Sequence, residues 1–433
     1  MTDQSKGSRR PVHVLIFPAG AENMIDIYDS LRHNPDFKVF GASAREDHGK
    51  AVYPEDHYCI GELQITEPDF LDHFNDLLRS FRIDYVIPTH DTVAVYLMKM
   101  AAEIQATIVC SPYETARIAE NKQLTAEALE GAEYCPRVYG SREAIEEYPV
   151  FLKPWIGAGS RDTFLVRDGE ELSEILKKKD RLLISEYLPG PEYTVGCFTS
   201  RDGRLLFAGP GTRERIQNGR AYHIERAGGR SDFKVIAEDL NRRLTFRGSW
   251  FFQVKEDRQG RLKLLEFSVR QLGEMALYRQ LGVNFAALAL YDAMGQDVTI
   301  LFNDLPLTMD LRFSGVYRLR HDYRRVYLDA AALLAGEEAV DATLIQFLYQ
   351  TVNDGKKITC LSLEGEDLPD ELERRSIHAG LFAEIIRVRT AEEMTGHMTD
   401  TQAVFVSRDR KLRQLVKEHC RIPVFDVDAL ECL

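Results

Sequence analysis

A chain of 433 residues, 44% hydrophobic and 28% charged, is long enough for two to four domains and has globular rather than disordered composition. Its 68 acidic residues outweigh 55 basic ones for a formal charge of -13, which argues against a nucleic-acid backbone as the main partner but leaves room for a local basic pocket. No run of 18 apolar residues occurs and the start MTDQSKGSRR lacks a signal-peptide core, so a cytoplasmic protein off the membrane is expected, and seven scattered cysteines without CxxC spacing read as reduced, mostly buried apolar residues.

Residues 1–11 read as a flexible tail. VHVLIF then reads as a strand ended by PAG at Gly20, and Met24, Ile25, Ile27, Tyr28 and Leu31 follow with helical spacing. VFGAS (39–43), the amphipathic FLDHFNDLLRSF (70–81), the strand DYVIP (84–88) and TIVCS (107–111) continue the alternation. This pattern predicts a small parallel sheet with helices on both faces. PAGAEN is not GxGxxG, so a dinucleotide fingerprint is lacking. Asp91, in PTHD just after a strand, is either a substrate-side contact or a loop cap.

A different region runs from about Ser111-Pro112 to 320, with strands LLISEYL (182–188), YTVGCF (193–198) and SWFFQVKED (249–257). FFQVKEDRQGRLKLLEF reads as an antiparallel hairpin turning at Arg258-Gln259-Gly260. The apolar VNFAALALYDAM (283–294) suits a core helix or a dimer contact. RRVYLDAAALL (324–334), helical stretches at 341–353 and 410–419, and strands ITCLSL (358–363), VFVSRD (404–409) and IPVFDV (422–427) predict a second alternating sheet domain.

Four segments carry candidate chemistry. FLKPWIGAGS (151–160) sets Lys153 beside Gly157, Gly159 and Ser160, a composition that suits a loop covering a polyphosphate and also occurs in surface turns. In SEYLPGPEYTV (185–195), Glu186 and the Tyr187-Leu188 backbone suit a nucleotide base and Glu192 suits ribose hydroxyls; exposed rim positions are the alternative. Gln253 and Glu266 fall opposite one another in the hairpin, with Ser268 and Arg270 on the same face, which suits either magnesium on a polyphosphate or a solvated sheet face. GPGTRERIQNG (209–219) offers Arg213 and Arg215 to a transferred phosphoryl group or a substrate carboxylate.

Taken in order over residues 12–320, these segments resemble the ATP-grasp superfamily, in the manner of the carbamoyl phosphate synthase large subunit. The resemblance implies an α/β and α+β multidomain chain: a Rossmann-like pre-ATP-grasp domain (12–112) and a two-lobed ATP-grasp domain (113–320) that closes on ATP and Mg2+. It implies that Lys122, in AENK, and Lys153 hold phosphates with Gly159 and Ser160, while Glu186, Tyr187, Leu188 and Glu192 contact adenine and ribose. Gln253, Glu266 and Ser268 fall at metal positions, and Arg213, Arg215 and Arg270 at catalytic ones. The family's usual Glu-x-Asn-x-Arg ending reads EFSVR here, with Ser268 for asparagine. The activity implied is activation of a carboxylate, an amino acid or small peptide, as an acyl phosphate for attack by an amine, with release of ADP and phosphate. A nucleotide-binding pseudoenzyme acting through a protein partner is the alternative.

Residues 321–433 resemble a degenerate haloacid-dehalogenase-like (HAD-like) α/β domain. The Asp-x-Asp-x-Thr motif of active members reads Asp329, Ala331 and Leu333; Ser362 matches the second-motif hydroxyl, and Ser407-Arg408 replace the paired acids. That pattern implies lost phosphatase chemistry and a structural or docking role, toward a homodimer or another protein.

Overall fold

The computed structural model describes residues 10–433 apart from 158, 313, 335–339 and 364–367. All but the last two positions of the expected tail lie outside the described residues. The chain divides after Arg312 into two compact units.

The first unit begins with a parallel sheet of β1 (Val12–Phe17), β2 (Phe37–Ser43), β3 (Tyr58–Ile60), β4 (Tyr85–Pro88) and β5 (Thr107–Ile108), in the order β3-β2-β1-β4-β5. The flanking helix Phe70–Phe81 buries Phe70, Phe74, Leu77 and Leu78, the spacing that turns one face toward the sheet, and stops at Arg82 in left-handed geometry (φ 53). The strand expected over TIVCS shrinks to the two residues of β5, at an edge with only β4 to pair against.

Two antiparallel sheets follow. β6 (Val138–Tyr139), β7 (Val150–Pro154), β8 (Phe164–Val166) and β9 (Leu182–Glu186) order as β6-β9-β7-β8. β10 (Glu192–Thr199), β11 (Leu205–Thr212), β13 (Gly248–Glu256) and β14 (Leu262–Ser268) order as β11-β10-β13-β14, and β12 (His223–Glu225) pairs with β15 (Thr308–Asp310) beside them. The expected hairpin is β13–β14. Asp257 holds its turn by accepting from the Gln259 and Arg261 amides, both at 2.9 Å, and Gly260 supplies a positive φ of 74°. Behind the hairpin, the helix Phe285–Ala293 buries Phe285, Ala286, Ala287, Ala289 and Leu290 among residues of β13 and of the helix Met24–Leu31. The core reading of that apolar stretch therefore holds, and its apolar face is not available for a dimer contact.

The second unit is a parallel sheet of β16 (Arg325–Asp329), β17 (Lys357–Leu363), β18 (Glu384–Val388), β19 (Ala403–Val406) and β20 (Val424–Phe425), ordered β18-β17-β16-β19-β20. Its two faces bury separate clusters, one around Val326, Leu328 and Phe347 and the other around Tyr327, Phe405 and Val416. No helix among the described residues is long and apolar enough to cross a membrane. No disulfide joins any of the cysteines, and only Cys197 and Cys360 are buried; the other five are half-buried, which corrects the expectation of mostly buried thiols.

Candidate functional site

The end of β7 meets the β13–β14 hairpin directly through Lys153. Lys153 lies near the end of β7 with its side chain turned inward, and its Nζ donates to the Leu265 carbonyl at 2.6 Å. Lys122 starts a helix, Lys122–Ala128, whose N-cap Asn121 accepts from the Gln123 and Leu124 amides at 3.0 and 3.3 Å. That cap aims the lysine outward: its Nζ donates to the Gly157 carbonyl at 2.9 Å and lies 3.3 Å from Glu266 Oε2. Lys122 thus pairs with Glu266, while Lys153 sits on the backbone carbonyl just before it and feels Glu266 through charge alone. Burial, and then repulsion from Lys122, pulls Lys153 down to about 8 against the attraction of Glu266. Across the ladder Gln253 stands directly opposite Glu266, and both belong to the same face.

Gly159 and Ser160 both take positive φ, 66° and 56°, so this loop doubles back. It rests on a second glycine: a Cβ on Gly219 (φ 78°) would sit 2.9 Å from the Gly159 Cα. Two backbones approach here with no room for a side chain between them.

Beside this cluster lies a line of buried ion pairs. Arg213, at the end of β11, donates from Nε to Glu192 at 2.8 Å and from Nη1 to Glu274, and its Nη2 reaches the Gly219 carbonyl at 2.5 Å. Its side chain is only 2% exposed, which matters because a buried guanidinium without partners would be untenable. Glu274 is likewise buried, and burial raises its pKa against the pull of Arg213. Arg270 donates from Nε to Asp91 at 2.9 Å and lies over the Phe251 ring, 5.2 Å from its centre. Asp91 also takes the Ser268 hydroxyl. Burial opposes the Asp91 charge, but Arg270 and the Ser268 hydrogen bond outweigh it and hold its pKa below the ordinary value.

Asp91 thus has specific partners in the fold, Arg270 and Ser268. It opens the helix Asp91–Lys99 and ties it to the residues after β14. Ser268, expected at a metal position, spends its hydroxyl on that tie. Glu192 is spent on Arg213 with Lys255 at 3.9 Å, and Glu186 accepts from the Arg137 amide at 2.8 Å at the end of β9. Leu188 is buried and Tyr187 half-buried just beyond. Arg215 stands apart: its exposed side chain pairs with Asp310 on β15. Lys122, Lys153, Glu266 and Gln253 are brought together; Arg213, Glu192 and Glu274 form the neighbouring group. Glu274 had no signal in the sequence, because it lies in a short turn, Gly273–Met275, with neither periodicity nor a motif to mark it.

A donor set of one carboxylate, one amide and two lysines fits a polyphosphate carrying a divalent cation: Glu266 and Gln253 would hold the metal and the lysines the phosphate oxygens. Residues 178–309 match the family described as ATP-grasp in the biosynthetic pathway with Ter operon. A stretch of 61 residues is 39% identical to a D-alanine–D-alanine ligase of Fusobacterium nucleatum subsp. nucleatum, spanning 14% of this chain and 21% of that enzyme, so most of that ligase has no counterpart in the match. The biotin carboxylase domain of Hydrogenobacter thermophilus 2-oxoglutarate carboxylase, solved with MgADP, ADP and bicarbonate, superposes with a TM-score of 0.56 at 16% identity, over 69% of this chain and 73% of that one. N5-carboxyaminoimidazole synthetase from Staphylococcus aureus gives 0.56 at 15% identity, over 69% and 82%. At such identities these likenesses establish the fold.

Proposed function

We propose, from an ATP-grasp match over residues 178–309 and a first unit folded like those enzymes, that this chain is an ATP-dependent ligase joining a carboxylate to an amine. One observation carries the reading: Lys122 on Glu266 and Lys153 on the Leu265 carbonyl stand together with Gln253 opposite, beside the close Gly159–Gly219 backbone approach.

In this reading ATP supplies the phosphoryl group that turns the carboxylate into an acyl phosphate, and magnesium neutralises charge on the phosphates. The chain's own residues position and shield. Lys153 and Lys122 hold phosphate oxygens, and release of Lys122 from Glu266 frees that carboxylate for the cation. Arg270, fixed by Asp91 and Phe251, presents its remaining N–H groups to the substrate carboxylate. Arg213 is held too tightly between Glu192 and Glu274 to swing, so it acts as a fixed charge. The loop around Gly159 and Ser160 excludes water from a group that water would hydrolyse. Glu186 and the Tyr187-Leu188 backbone line the adenine side. D-alanine–D-alanine ligase as a relative favours an amino acid or short peptide as substrate, and scattered cysteines without CxxC spacing favour a reducing compartment, the cytoplasm.

The test is ADP release by the full chain with Mg2+ over a panel of amino-acid pairs, read against Lys153→Ala and Glu266→Ala, which should each abolish it. ATP binding without turnover on any pair would favour the pseudoenzyme, for which Ser268 speaks, since its hydroxyl is committed to Asp91 rather than open to a metal.

For the second unit we propose a HAD-like domain without catalysis, serving as a docking element. Asp329, at the carboxyl end of β16, is buried and accepts from Ser407 Oγ at 2.6 Å and the Ala331 amide at 3.2 Å. Arg408 reaches away to Asp341. The carboxylate is occupied as a structural acceptor, and hydrolysis of p-nitrophenyl phosphate by this unit would refute the reading.

A further inference from the structure

Near Glu274, three charged side chains from distant segments meet without pairing one another. Asp26 belongs to the first turn of the helix Met24–Leu31, Arg220 follows the Arg213–Gly219 loop, and Arg279 lies in the helix Ala276–Gln280, just past Glu274. Asp26 and Arg220 share a floor at Gly273, and Arg279 lies near enough to act on the Asp26 charge. A Cβ built there would lie 3.2 Å from Asp26 Oδ2, 3.7 Å from Arg220 Nη2 and 3.8 Å from the Asn23 Cα. Asn23 fixes this corner by donating from Nδ2 to the Gln271 carbonyl at 2.5 Å.

The groups are poised rather than satisfied. Both arginines act on Asp26 through charge alone, with no hydrogen bond between them. Arg279 Nε is buried and finds no hydrogen-bond partner among the described residues. Arg220 reaches only the exposed Glu22, at 3.1 Å. A buried guanidinium N–H left unmatched costs stability, as does a carboxylate taken out of water beside arginines it does not touch. Burial pushes Asp26 up to about 6, with Arg279 and Arg220 pulling it down.

A simple anion would be repelled by Asp26, and a simple cation by the two arginines. A free amino acid meets both demands, because its ammonium and carboxylate are one carbon apart and opposite in sign. We propose that Asp26, Arg220 and Arg279 form the subsite for an amino-acid acceptor, the ammonium on Asp26 and the carboxylate against the two guanidiniums. Its role as acceptor rests on the ligase reading: a carboxylate clamped by two arginines is not the one being phosphorylated, so the amine is the reacting end. The ammonium passes one proton to the Asp26 carboxylate; the amine then forms the C–N bond as the acyl C–O bond to the phosphate oxygen breaks, phosphate leaving with the amine's second proton. Gly273 leaves the backbone bare beneath it, next in the chain to Glu274, the partner of Arg213.

Thermal-shift and calorimetric titrations of the full chain with each standard L-amino acid, with and without Mg2+ and a non-hydrolysable ATP analogue, test this. Methylamine and acetate serve as the two separated halves. The expected result is that at least one amino acid binds while neither half does, and that Asp26→Asn and Arg279→Gln each weaken it about tenfold or more, with the nucleotide affinity unaltered. Binding that persists in both variants, or no amino-acid binding by a chain that binds nucleotide, overturns the subsite and spares the ligase reading. Amino-acid binding by a chain that ignores nucleotide overturns the ligase reading and spares the subsite; failure of both ligands overturns both.

Discussion

Lys153 is expected to make nucleotide binding pH-dependent in a range where ATP itself does not titrate. Burial and the neighbouring Lys122 lower its ammonium from 10.5 to about 8, so in the free protein about half of it is neutral at pH 8. A polyphosphate placed against it restores the charge, so binding takes up a proton: about half a proton at pH 8 and about nine-tenths at pH 9. Only the protonated form binds well, so the apparent Kd for MgATP should rise about 25-fold between pH 7.5 and 9.5, on average about fivefold per pH unit and steeper toward the alkaline end. The direction follows from the sign of the shift, since a lysine held below its ordinary pKa favours its polyanion at the acidic end of the window. Calorimetry in two buffers of different ionisation enthalpy measures the uptake directly, and Lys153→Met should abolish it. Full ATP affinity with no proton uptake at pH 8.5, or an unchanged uptake in the methionine variant, would refute the placement of Lys153 on the phosphates.

Further outcomes follow from the same geometry. Asp26→Asn should stabilise the protein above pH 6 by up to about 3 kcal/mol, because the raised carboxylate, about 6 against 3.8, is penalised when charged; the gain should vanish below about pH 4, where both states are protonated, and urea melts at pH 4 and 8 measure it. Arg213→Met leaves Glu192 and Glu274 buried without their cation, and should cost about 3–5 kcal/mol in the same assay. Gly219→Ala forces a Cβ within 2.9 Å of the Gly159 Cα at a φ of 78°, so it should lower stability by about 1 kcal/mol or more and quicken dissociation of a fluorescent ATP analogue in stopped-flow displacement.

Local patterns carried much of this structure in the sequence. Period-two and period-3.6 spacing located the strands and helices, and the turn residues Asp257 to Gly260 set the hairpin whose register puts Gln253 across from Glu266. The lysine-then-glycine composition of 151–160 marked a loop that does double back on itself. The acids and bases around it were another matter. Arg213 and Glu192 were legible as charged residues near the candidate site, but not as partners; Asp91 was noticed at the end of its strand, yet its partner is 179 residues away. Glu274 and the trio near Gly273 left no trace.

What the sequence determined by itself was therefore the order of elements, the hairpin register and the two lysines, all consequences of contacts between near neighbours, where chain geometry allows few alternatives. Only the tertiary structure decided which charges are paired and which are left waiting. Arg213 finds Glu274 across 61 residues, and whether Asp26 meets an arginine directly or faces it across a gap depends on how separate segments pack around one glycine. Electrostatic energy falls with distance and rises as water is removed, and neither quantity exists for a charged residue until the chain has folded around it.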